Sequence, residues 1–106
     1  MPQNIDSILD AAEQQQASDV FLQEKEVPRL KVNEQIIVFG DEPTSLAQMT
    51  AFWQACGGNA NGDGDMDRDS GFISRTRTRY RVNLHRTMGR LGAVLRRIKT
   101  DRKSVV

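Results

Sequence analysis

An α+β fold, an antiparallel sheet with helices packed on one side, is predicted by three features of the chain. At 106 residues and 38% hydrophobic content it is long enough for one domain and too short for two. Its β-patterned segments come in runs, three before the second helix and three after it, without β-α-β alternation. Each helical segment carries an apolar face that must be buried against something.

Ile5, Ile8, Leu9 and Ala12 recur at i, i+3, i+4 and i+7, which predicts a first helix with one apolar stripe. Asn4 is its candidate N-cap, Asp6 suits its first turn, and Gln14, Gln15 and Gln16 extend it on a polar face. Ala17-Ser18-Asp19 ends it. Val20 to Gln23 and Pro28 to Val32 read as short strands, and Asn33-Glu34 as the turn into the β-branched run Gln35-Ile36-Ile37-Val38-Phe39. Gly40 to Pro43 is a turn cluster, after which Thr44 or Ser45 caps a second helix. Leu46, Met49, Phe52, Trp53 and Cys56 supply its buried face, and Gly57-Gly58 stops it. Residues 57–71, rich in Gly, Asn and Asp, are expected to be loop. Three further strands follow, at Phe72-Ile73, Thr78 to Leu84 and Leu91 to Ile98.

The net charge of +1 conceals an asymmetry: residues 1–70 sum to −9 and residues 71–106 to +10. Such a division suits either a nucleic-acid surface or one half of a fold answering the other, and intramolecular or intersubunit pairing is the simpler reading. Cys56 is alone, which excludes an internal disulfide and fits a reducing cytoplasm. No apolar run approaches the roughly 18 residues of a spanning helix, and the N-terminus has no secretory pattern.

The arginines are the chemically suggestive residues. In one unbroken strand over residues 73–83, Arg75, Arg77, Arg79, Arg81 and Asn83 would share a face by the strand period of two. A turn near Arg75-Thr76 would break that alignment, and a solvated sheet face would also accommodate it. In the last strand Leu91, Ala93 and Leu95 take the core face, placing Arg96 opposite with Gly92 and Val94. Repeated Arg in an apolar frame suggests planar, multi-donor contact with phosphate or carboxylate.

Four segments occur in this order: Ala17-Ser18-Asp19-Val20, Pro28-Arg29-Leu30-Lys31-Val32, Arg79-Tyr80-Arg81-Val82-Asn83 and Gly92-Ala93-Val94-Leu95-Arg96-Arg97-Ile98. So arranged, and over residues 4–99, the chain resembles the N-terminal domain of PilT-like type IV pilus retraction ATPases of the secretion-ATPase superfamily. The resemblance implies a PAS-like α+β domain over residues 1–99, with 100–106 a basic tail or the start of an interdomain linker. It implies a place before a RecA-like motor domain in a hexameric cytoplasmic ATPase of twitching motility, near pilus machinery at the inner membrane. The partner would be the motor domain of the same or a neighbouring subunit. Arg81 and Arg96, with Arg79 beside them, match the arginines that reach towards nucleotide between the two domains. A guanidinium there supports phosphate charge from a second domain.

The departures bound that reading. The sequence holds no G-x-x-x-x-G-K-[ST] and no Walker B strand, so as given it is no enzyme; ATP and Mg²⁺ would come with a partner motor domain. Phe21 stands where the family has a His in the first strand, and the segment from Gly57 to Ser70 replaces a helix. The resemblance thus implies an N-terminal domain, excised or standing alone, with no cofactor in isolation.

Within that segment, Asn59, Asn61, Asp63, Asp65 and Asp67, with Gly64, follow the first half of an EF-hand calcium loop. Asn at the first position and Ser70 at the twelfth, where a bidentate Glu belongs, favour a solvated loop and no metal. His85 lacks a Ser, Cys or carboxylate at suggestive spacing and takes no catalytic role. Two other functions compete: a small nucleic-acid-binding module using the basic C-terminal half, which lacks interleaved aromatics, and a sensor or adaptor, for which no cofactor-anchoring residue is present.

Overall fold

The computed structural model describes residues 5–58 and 66–98. Eight elements follow in the predicted order: α1 (Ile5–Gln14), β1 (Asp19–Gln23), β2 (Arg29–Val32), β3 (Gln35–Val38), α2 (Leu46–Ala55), β4 (Met66–Ile73), β5 (Arg79–Thr87) and β6 (Arg90–Arg97). The strands form one sheet in the order β3-β2-β1-β6-β5-β4, with every pairing antiparallel.

Local chemistry sets most boundaries. Asn33 and Glu34 both take positive φ, 51° and 65°, the two-residue turn whose twist matches that of a hairpin. Met88 and Gly89, at 53° and 79°, close the β5–β6 hairpin in the same way. Ser45, rather than Thr44, caps α2 through a reciprocal box. Its hydroxyl accepts from the Gln48 N–H at 3.1 Å, and the Gln48 side chain accepts from the Ser45 N–H at 2.8 Å. The N-cap predicted at Asn4 lies outside the described residues.

Both helices pack on one face of the sheet. Ile8, Leu9 and Ala12 of α1 and Met49, Phe52 and Trp53 of α2 are buried in one core with Val20, Leu22, Leu30, Val82, Leu84, Ala93 and Leu95. Trp53 is fully buried, its indole N–H donating to the Gly92 carbonyl at 3.1 Å, and the Arg86 guanidinium lies 5.2 Å from its ring centre. Glu13 fastens α1 to the sheet: its carboxylate accepts from Tyr80, Ser74 and Thr76 hydroxyls.

Two expectations change, and an alternative left open in the sequence is decided. Leu46 is exposed, because the first residue of α2 points outward before the helix meets the sheet. The polar stretch expected to be loop becomes strand from Met66 onward: as an edge strand it needs partners on one side only, and on its inward side Phe72 meets Phe52 in a tilted ring contact while the Ser70 hydroxyl donates to the Cys56 carbonyl. The arginine run is not one strand. Residues 74–78 form a turn with Arg77 at φ 69°, which removes Arg75 and Arg77 from the shared face; Arg75 instead pairs with Asp10 on α1.

Candidate functional site

Alternation along the strands assigns the remaining side chains to the sheet face that carries no helix. Arg79, Arg81 and Asn83 of β5 share it with Val94 and Arg96 of β6, Asp19 and Phe21 of β1, and Asp67 and Asp69 of β4. The register brings the two leading candidates together: Arg81 and Arg96 are direct cross-strand partners. One continuous row crosses the sheet as Lys31, Asp19, Arg96, Arg81 and Gly71. Arg79 lies one step along the same face, opposite Ile73, its side chain exposed.

Like charges directly opposite each other on a sheet destabilise it by up to about 1 kcal/mol, so the Arg81–Arg96 pair does not serve folding. A shallow depression is bordered by Arg81, Arg96, Asn83, Asp69 and Ser70, with Val94 in its floor. The Asn83 amide donates to Asp69 at 3.2 Å, so that carboxylate is turned towards β5's asparagine. Arg96 meets Asp19: its Nε lies 3.6 Å from Oδ2, an ion pair longer than a hydrogen bond. Among the described residues, Arg81 and Arg79 have no carboxylate within ion-pair distance.

Further along the face, the tip of the His85 imidazole comes close to Gly92. A Cβ on Gly92 would stand 2.2 Å from the imidazole Nε2, so the glycine is required for this close approach. His85, Phe21, Gln23, Arg29, Ile36 and Val94 border a second depression. The Phe21 position, where the resembling family has His, is therefore part of an apolar strip beside the arginines.

Of the calcium-loop residues, Asn59, Asn61, Asp63 and Asp65 lie outside the described residues. Asp67 sits in β4 opposite His85, and residues 66–70 run as extended strand instead of folding back around an ion. No group of three His, Cys, Asp or Glu among the described residues is arranged to hold a metal.

Part of the charge asymmetry is answered by pairing between the halves. Three of the five described salt bridges, Arg75–Asp10, Arg90–Glu26 and Arg96–Asp19, join the basic half to the acidic one. Arg86 is buried on the helix side. The positive charge is thus dispersed over both faces and a turn. On the helix side, burial pushes the Cys56 thiol up to about 11, and burial together with the Glu13 hydrogen bond pushes the Tyr80 phenol up. Both stay protonated at neutral pH and are packing groups. The residue that sequence reasoning passed over is Asp19, whose place opposite Arg96 depends on β1 lying beside β6.

No family model matches the chain, and no curated protein matches it by sequence. Solved structures do. The pilus retraction motor PilT with bound ADP superposes with a TM-score of 0.74 at 21% identity, over 93% of this chain and 30% of that one. The Legionella pneumophila ATPase DotB gives 0.68 at 25% identity, over 92% of this chain and 31% of that one. The chain spans about a third of the length of these ATPases. It has the fold of one domain of the secretion ATPases, and the resemblance read in its sequence holds at the level of that fold.

Proposed function

We propose that this chain acts as a non-catalytic domain of a pilus-retraction-type ATPase, lending Arg81 and Arg96, with Arg79 beside them, to a nucleotide site shared with a RecA-like motor domain. The single observation that carries this reading is the direct opposition of Arg81 and Arg96 on the sheet face left free by the helices. Two guanidinium groups at one spot offer several charged donors to a polyphosphate, and their mutual repulsion falls when an anion is held between them. The motor domain supplies the P-loop, ATP and Mg²⁺, while this domain supports charge on the transferring phosphoryl group and packs between subunits. In that setting the assembly is a hexamer, in the cytoplasm at the pilus machinery of the inner membrane. No helix among the described residues is long and apolar enough to cross a membrane.

The test adds the purified chain to a motor domain of the retraction type that lacks its own N-terminal domain. A raised ATPase rate is expected, lost on Arg81→Ala or Arg96→Ala. Absence of both association and any change in rate disproves the reading.

A further inference from the structure

Ala17-Ser18-Asp19-Val20 is one of the four segments that carry the family resemblance. Asp19 opens β1 in that segment, and its side chain is only 10% exposed, against 73% for the Arg96 side chain it meets. A carboxylate so far removed from water needs a compensating charge. Lys31, its cross-strand neighbour on the other side, reaches towards Glu34 at 3.9 Å instead. Among the described residues, Arg96 is the one cation within ion-pair distance of Asp19. The contact is to Nε, at the inner edge of the guanidinium, and the two Nη groups have no described partner.

We propose that Asp19 is a positioning residue for Arg96, holding the guanidinium by its Nε so that both Nη groups face the anion shared with Arg81. This rests on the reading of Arg81 and Arg96 as phosphate-contacting. A free arginine side chain must surrender its rotamer freedom when it grips a phosphate; one already held from behind surrenders less. Asp19 is rigid enough for this, being fixed in a strand paired on both sides, to β2 and to β6. Its charge also offsets one of the two guanidinium groups while the anion is absent.

The experiment compares Asp19→Asn, Asp19→Glu, Arg96→Ala and the double variant Asp19→Asn/Arg96→Ala. Stimulation of the motor domain is measured with kcat and KM for ATP, and the Arg96 Nε–Hε resonance is read in the chain alone. Asp19→Asn should weaken stimulation about fivefold, the scale of a lost, partly exposed ion pair. It should shift the Arg96 Nε–Hε resonance towards that of a free arginine, and Asp19→Glu should recover part of both. In the Arg96→Ala background, Asp19→Asn should do nothing further. An undiminished loss in that background, or an Nε–Hε resonance unmoved by Asp19→Asn, overturns the proposal. A harmful Arg96→Ala beside a silent Asp19→Asn overturns it alone, whereas a silent Arg96→Ala overturns the arginine reading and this proposal with it.

Discussion

The two faces of this sheet are written by the same strands, residue by residue, yet they follow different rules. On the helix-covered face Val82, Leu84, Ala93 and Leu95 are almost without exposed surface, and the Tyr80 hydroxyl and the Trp53 indole N–H reaching it both have partners. On the other face the alternate residues are Arg79, Arg81, Asn83, Val94 and Arg96, with two arginines set against each other. Burial selects the first set by volume and hydrogen-bond satisfaction. The second set lowers stability slightly where it departs from neutral choices, and such departures are expected at a binding surface.

Substitutions can break or sharpen that contrast. Trp53→Ala should have the largest effect, a loss of about 3–5 kcal/mol in urea unfolding, since it empties the centre of the core and removes the indole hydrogen bond to the Gly92 carbonyl. A loss below about 1 kcal/mol would mean that the covered face is not the stabilising one.

Alkaline pH comes next. With the Cys56 thiol raised from its ordinary value near 9 to about 11, the folded state holds its proton more tightly than the unfolded chain. Its contribution is complete below pH 9 and is lost as the pH rises through 11, a fall of about 3 kcal/mol. Tyr80 adds to the decline in the same direction. Cys56→Ala should flatten the stability curve between pH 9 and 11, and an unchanged slope would assign it elsewhere.

Gly92→Ala acts on the open face and should lower stability by about 1 kcal/mol, because the new methyl displaces the tip of His85. In a His85→Ala background the same substitution should be nearly neutral, as melting temperatures of the four proteins would reveal. Smallest of all is Arg81→Ala, within about 0.5 kcal/mol of the parent in either direction. Arg96→Ala should be the more costly of the two, since it leaves Asp19 with no described cation nearby. Should Arg81→Ala instead prove as damaging as a core truncation, the division between the two faces collapses.

Much of the fold was legible in the residues. The stripe of Ile8, Leu9 and Ala12, the stop at Gly57-Gly58 and the turn at Asn33-Glu34 all act within a few positions of the chain, and the element order follows from them. Leu46 misled because a helical stripe does not say where the helix first touches its sheet. Residues 66–71 misled because their Asp and Gly content opposes strand formation locally, while pairing with β5 overrides it. In the arginine run, composition could not choose between one long strand and the hairpin that puts Arg75 on α1 and Arg81 on the open face.

By itself, then, the sequence determined the order of helices and strands, the buried stripe of each helix, and that Arg81 and Arg96 stand on the polar side of their strands. Those properties depend on neighbours close along the chain, through backbone geometry and the burial of apolar side chains. The tertiary structure alone decided that β1 lies against β6, so that Asp19 meets Arg96 and Arg96 meets Arg81. Sheet order and register arise from packing two helices over six strands at once, and no local pattern encodes which distant strands will adjoin.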